Sequence, residues 1–117
     1  GLDASERQAL SLGRPRRPKG RVVLYEVHVK GFSQRHPGVP EHLRGTYAGL
    51  AHPASVAHFQ RLGVTTLSLL PVHYALDEPH LARLGKSNYW GYNTLGFCCV
   101  DPRWSCTPED TAAATEE

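Results

Sequence analysis

Two apolar runs bracketing one amphipathic stretch, between residues 21 and 71, constrain this chain more than any other feature. The first run, Arg21-Val-Val-Leu-Tyr-Glu-Val-His-Val29, is rich in β-branched and aromatic residues. Its apolar residues run together at Val22–Tyr25 and then alternate with Glu26 and His28, which predicts a strand covered on both faces, as in parallel sheets. Gly31 and the stretch Ser33–Gly45, with Pro37, Gly38 and Pro40, read as a loop. A helix is expected from Pro53, a residue suited to a first turn, with Val56, Phe59 and Leu62 at helical spacing and Gly63 as the stop. Val64–Leu70 then reads as a second strand, ended by Pro71. Strand, loop, helix and strand in about fifty residues make a βαβ unit, so the two strands should be parallel and the class α/β. One such unit is not a domain, because a parallel sheet is covered on both faces only when several units assemble.

The flanking regions are less patterned. Residues 1–19 show little apolar periodicity and read as a mobile leader or linker. The segment Pro71–Asn93 reads as one long loop, a length commonly tied to function, and it ends in Asn88-Tyr-Trp-Gly-Tyr-Asn93. Leu95–Val100 reads as a short strand. From Cys106 the chain turns to Thr, Pro, Glu, Asp and Ala, which predicts a disordered tail without a buried face.

Composition bounds the rest. At 117 residues the chain is one small domain's length, and 40% hydrophobic with 21% charged residues is a globular balance. No run of about eighteen apolar residues is present and no secretory signal pattern is readable, so no membrane partner is expected and a cytoplasmic address is the default. A net charge of +2 argues against a nucleic-acid partner. The basic run Arg14, Arg16, Arg17, Lys19 and Arg21, broken by Pro15 and Pro18, reads as a solvated linker rather than a polyanion-binding module. Cys98, Cys99 and Cys106 have no zinc-type spacing and read as reduced thiols. His36, His42, His52, His58, His73 and His80 lack ligand spacing, and nothing supplies a calcium cluster, so no metal or cofactor is expected.

Several segments carry a family resemblance. Tyr25-Glu-Val-His-Val-Lys-Gly-Phe32 resembles the first barrel strand of the glycogen-debranching and isoamylase type of the α-amylase superfamily (glycoside hydrolase family 13). Gly45-Thr-Tyr47, His58-Phe-Gln-Arg-Leu-Gly-Val64, Leu69-Leu-Pro-Val72, Ser87-Asn-Tyr-Trp-Gly-Tyr-Asn93 and Asp101-Pro-Arg103 are similar to segments that follow in the same order. The resemblance covers residues 20–105. It implies a (β/α)₈ TIM barrel of about 250 residues, of which this chain would hold the first two strands and first helix, with flexible ends. It also implies retaining hydrolysis of α-1,6 branch points in an α-glucan such as glycogen or limit dextrin. The three carboxylates of that reaction come from later strands, so no catalytic residue is expected here. Cys98-Cys99 and Trp104 depart from the family pattern, and the resemblance stops at Ser105. That stop reads as a truncated product or fragment, with residues 106–117 non-native.

By the resemblance, Tyr92 is the aromatic platform under the sugar at the cleavage subsite. Trp90 and Tyr89 extend that floor or anchor the loop, and Asn93 bonds a sugar hydroxyl or a turn. Glu26 and His28 share a strand face; Glu26 reads as a core carboxylate needing a partner, and His28 as barrel core. Lys30, Gly31 and Phe32 sit where the first strand meets its loop, the chemical face of a barrel. Asp77 and Glu78 are adjacent and so are not a catalytic pair. The reading is a fragment of a debranching hydrolase. The alternative is a non-catalytic α-glucan-binding or non-functional truncated product.

Overall fold

The structure is a computed structural model and describes residues 3–13 and 19–116. The expected linker residues Arg14, Pro15, Arg16, Arg17 and Pro18 lie outside the described residues. Element order is α1 (Ala4–Leu12), β1 (Leu24–Val27), α2 (Val29–Ser33), α3 (Tyr47–Ala51), α4 (Pro53–Arg61), β2 (Thr66–Leu69), β3 (His73–Ala75), α5 (Pro79–Arg83), β4 (Thr94–Val100) and α6 (Thr111–Glu116). Short 3₁₀ turns stand at Lys19–Arg21, Glu41–Leu43 and Pro102–Trp104.

The βαβ unit forms as its pattern dictates. β1 and β2 pair in parallel, with Leu24 opposite Thr66 and Val27 opposite Leu69. Between them α4 opens with Pro53 in its first turn, and Gly63 takes the left-handed φ of 72° that a helix stop requires. The helix-side face of β1 supplies Val27 and Tyr25 to a core with Val29, Leu50, Phe59 and Trp104. Tyr25 meets Phe59 edge-on at 5.5 Å. A second, antiparallel sheet joins β3 and β4, and its register slips between His73 and Tyr74 and again between Tyr74 and Ala75. The architecture is thus a small mixed α/β domain with one short parallel and one short antiparallel sheet. Among the described residues no helix is long and apolar enough to cross a membrane.

Several expectations are corrected. β1 stops at Val27 because His28 turns the chain into α2, its ring accepting from the Gly31 amide as an N-cap. Part of the stretch read as loop is therefore helix. A five-residue α3, capped by Thr46, also precedes α4. The long loop Pro71–Asn93 contains β3 and α5, because β3 finds its partner beyond the loop, in β4. Within residues 1–19, α1 forms despite weak periodicity. A reciprocal capping box between Asp3 and Glu6 satisfies two of the donors left over at its start. The tail carries a buried residue after all, Ala114 on α6 at 4% exposure. Glu26, expected in a core, is exposed, because its face of β1 borders an open groove rather than a packed layer.

Candidate functional site

The aromatic loop Tyr89–Asn93 is held from three sides. On the first, Asn88 forms a turn: its side-chain oxygen accepts from the amides of Trp90 (3.1 Å) and Gly91 (3.0 Å). Asn88 is itself tied back, its amide donating to Asp77 at 2.6 Å and its side-chain nitrogen to Glu78 at 3.0 Å. Gly91 has a φ of 74°, and a Cβ there would stand 3.0 Å from the Trp104 ring. Both facts select glycine between the two aromatic residues.

The second side is a buried carboxylate. Asp101 is wholly buried, caps the Pro102–Trp104 turn through the Arg103 amide, and receives the Arg103 guanidinium at 2.6 Å. Arg103 also reaches Asp77 at 3.1 Å and the Ala75 carbonyl at 3.1 Å, which links the end of β3, the Asp77–Asn88 contact and the 3₁₀ turn. The hydrogen bonds to Asp101 push the Arg103 guanidinium above its ordinary range, against a partial loss of solvation. From the far side the Asp101 amide donates to the Tyr47 hydroxyl at 3.2 Å, which in turn donates to the Val72 carbonyl at 2.8 Å.

His28 makes the third side. Its ring stacks on Tyr89, centroids 4.3 Å apart and planes 6° apart, and meets Trp90 and Trp104 edge-on. Nδ1 accepts from the Gly31 amide at 3.1 Å, so the ring proton sits on Nε2 and is donated to the Tyr89 carbonyl at 2.8 Å. His28 is buried; Tyr89, Trp90 and Tyr92 are 42%, 55% and 71% exposed. Asn93 is tied to the backbone of Leu76: its side-chain nitrogen donates to the Leu76 carbonyl (3.2 Å) and its own backbone carbonyl accepts from the Leu76 amide (3.0 Å). Tyr92 and Asn93 line an open groove of 550 Å³ together with Glu26, His73 and Phe97.

No family model matches this chain. It is 52% identical over 103 residues to the glycogen debranching enzyme of Yersinia enterocolitica serotype O:8, a match covering 88% of this chain and 16% of that enzyme. The glycogen debranching enzymes of Yersinia pseudotuberculosis serotype O:1b and Yersinia pestis bv. Antiqua (strain Angola) are each 51% identical over 102 residues. This chain is homologous to glycogen debranching enzymes. It spans 15–16% of the length of these relatives.

In this debranching-enzyme homologue the titratable side chains that hold the aromatic loop are engaged by neighbouring groups. Both ring nitrogens of His28 are engaged by backbone, so His28 and Glu26 do not form an acid–base pair. Asp77 faces Arg103. Phe32 stacks on Phe59 at 4.5 Å, which places it in the packing of the core, and Lys30 is exposed on α2. His36, His52 and His73 accept backbone amide hydrogens from Gly38, Ala54 and Cys98. No group of three or more potential metal ligands is assembled among the described residues. The loop carries three exposed aromatic rings, Trp90 and Tyr92 more open than the stacked Tyr89, on a backbone tied by neighbouring side chains. The residues that tie it, His28, Asn88, Asp101 and Arg103, were not singled out as a unit by sequence. A signal existed in Asn88, a turn-forming residue three before a glycine, and in Asp101-Pro-Arg103, a cap followed by a first-turn proline.

Proposed function

We propose that this chain is a segment of the catalytic barrel of a glycogen debranching hydrolase. In that enzyme it presents the aromatic loop to an α-glucan such as glycogen or limit dextrin, in a cytoplasmic setting. The observation that carries the reading is the 52% identity to a glycogen debranching enzyme over 88% of this chain. The parallel β1–α4–β2 unit is compatible with the first two strands and intervening helix of a (β/α)₈ barrel, with residues 20–105 as the barrel segment. Residues 1–19 and 106–117 flank it as leader or linker and as a tail outside the barrel.

The reaction of this reading is retaining hydrolysis of α-1,6 linkages, in which one carboxylate attacks the sugar while a carboxylic acid protonates the leaving oxygen. Those groups lie outside this chain. The role left to it is positioning. An aromatic face packs on the C–H face of a sugar ring, and a loop tied at Asn88 and His28 loses little further freedom on binding. Tyr92, the most exposed of the three rings, is the platform, with Trp90 and Tyr89 beside it and Asn93 fixing the loop end.

A chimera tests this. Residues 20–105 replace the homologous segment of the Yersinia enterocolitica enzyme, and release of reducing ends from a branched limit dextrin is measured. The chimera is expected to be active, and Tyr92→Ala within it to lower kcat/KM by roughly ten- to a hundredfold, Tyr92→Phe by far less. A folded but inactive chimera would overturn the assignment of the segment. An active chimera indifferent to Tyr92→Ala would overturn only the platform.

A further inference from the structure

We propose that Cys98 and Cys99 form a dithiol site that captures a trivalent organic arsenical, or a chemically equivalent soft centre satisfied by two sulfurs. The two thiols are exposed and unbridged. In a regular strand adjacent side chains point to opposite faces. Here the strand is not regular. Cys98 has a φ of 61°, the one left-handed non-glycine residue among the described residues. β4 bulges at this point: Val100 pairs with His73 and Gly96 with Tyr74, which leaves Phe97, Cys98 and Cys99 opposite no residue of β3. The bulge is pinned by the Cys98 amide, which donates to His73 Nδ1 at 3.0 Å. Gly96 makes room for the second sulfur, since a Cβ there would lie 2.8 Å from Cys99 Sγ. The outcome is that both cysteines line the same open hollow of 330 Å³, together with His73 and Ala114.

Donor number and geometry select the ligand. Adjacent α-carbons are about 3.8 Å apart, short of the roughly 4.4–6.8 Å that disulfides usually span, so a direct bridge is strained and readily reduced. A structural zinc ion wants four ligands, and no third or fourth is gathered here among the described residues. Thiolates favour soft centres. An organic arsenoxide needs two sulfurs only, its third position being filled by carbon. In the capture step two S–As bonds form and the As–O bonding is broken. The oxygen leaves as water with the two thiol protons, and arsenic stays trivalent, so no oxidant or reductant enters.

The test uses phenylarsine oxide on the full chain, read by intact mass and by titration of remaining thiols. One adduct per chain is expected, with two thiols lost and Cys106 still titrating. The adduct should resist excess monothiol and be released by a small dithiol. Because the second sulfur adds intramolecularly, C98S and C99S should each weaken capture by about a hundredfold or more, while C106S leaves it unchanged. Circular dichroism of each variant checks that these surface substitutions leave the fold intact. Equal capture by C98S or C99S and the parent overturns the proposal, as does loss of capture in C106S or three thiols that react independently.

Discussion

His28 lies flat against Tyr89 and donates its Nε2 proton to the same residue's carbonyl oxygen, so one imidazole fixes both the ring and the backbone of the aromatic loop. Because Nδ1 is occupied by the Gly31 amide, the ring also fixes the first turn of α2. The two segments joined in this way are 61 residues apart in sequence.

Replacing His28 by Phe keeps a ring for stacking but strands a buried acceptor and a helix-start donor. The expected cost is about 1–3 kcal/mol, felt locally. Hydrogen exchange at the Gly31 amide and quenching of Trp90 fluorescence should both rise. Unchanged protection at Gly31 would remove His28 from its role as the tie.

Gly31 is matched to Tyr89. A Cβ at Gly31 would stand 2.5 Å from the Tyr89 hydroxyl, so Gly31→Ala must displace the tyrosine. Tyr89→Phe removes the clashing oxygen. The double variant should therefore be less perturbed than the sum of the singles, with a coupling of about 0.5–3 kcal/mol. Additive effects in that cycle would mean that the two residues do not meet.

Much of this scaffold was legible in the sequence, and what was not has identifiable physical causes. The β1–α4–β2 unit was readable because Val22–Val29, Pro53 and Gly63 each act through short-range chemistry. α2 was not, since its cap is a histidine rather than Ser, Thr, Asp or Asn, and it holds a glycine that reads as a breaker. β3 is three residues long and exists through pairing with β4 some twenty residues on, which no local pattern announces. Glu26 reads as a core carboxylate only if a barrel strand beside it supplies a partner; strand alternation says which residues share a face, not whether that face is covered, and here it is open. The aromatic cluster was visible as residue types; the side chains that tie it, His28, Asn88, Asp101 and Arg103, were not visible as a unit.

Asp101→Asn tests the buried carboxylate. The guanidinium of Arg103 would lose its charged acceptor, and an amide N–H₂ would face it instead. The partner is partly exposed, so about 2–3 kcal/mol is expected, below the cost of breaking a fully buried pair. Loosening should spread along Arg103 to Asp77 and the Asn88 turn, detectable as faster exchange of the Trp90 and Gly91 amides. Normal protection there, with lowered global stability, would confine Asp101 to the 3₁₀ turn.

The Asp3 carboxyl is held below its ordinary value, first by the Glu6 amide and then by the Ser5 hydroxyl. A lowered folded value means that its contribution to α1 is complete above the usual carboxylate range and is lost as pH falls through the lowered value. The Glu6 amide resonance should follow that titration by NMR. Asp3→Asn retains a capping oxygen and should abolish the pH dependence while keeping the helix. A Glu6 amide that still titrates in this variant would assign the effect to another group.

The last prediction concerns the open sheet. Among the described residues β1 and β2 pair only with each other, so each leaves an unpaired edge. Leu24, Leu67 and Leu69 are exposed, and Leu67 and Leu69 border an apolar groove of 430 Å³ with Val29, Leu50 and Phe59. A two-stranded sheet with such a face is marginal in water and prone to pair with further chains. The isolated chain should therefore sediment as concentration-dependent oligomers. Leu67→Lys with Leu69→Lys should shift it toward monomer without loss of α4, because charge on an edge strand blocks pairing at positions already exposed. A monomer that unfolds in one cooperative thermal transition would mean that the face is self-sufficient as it stands.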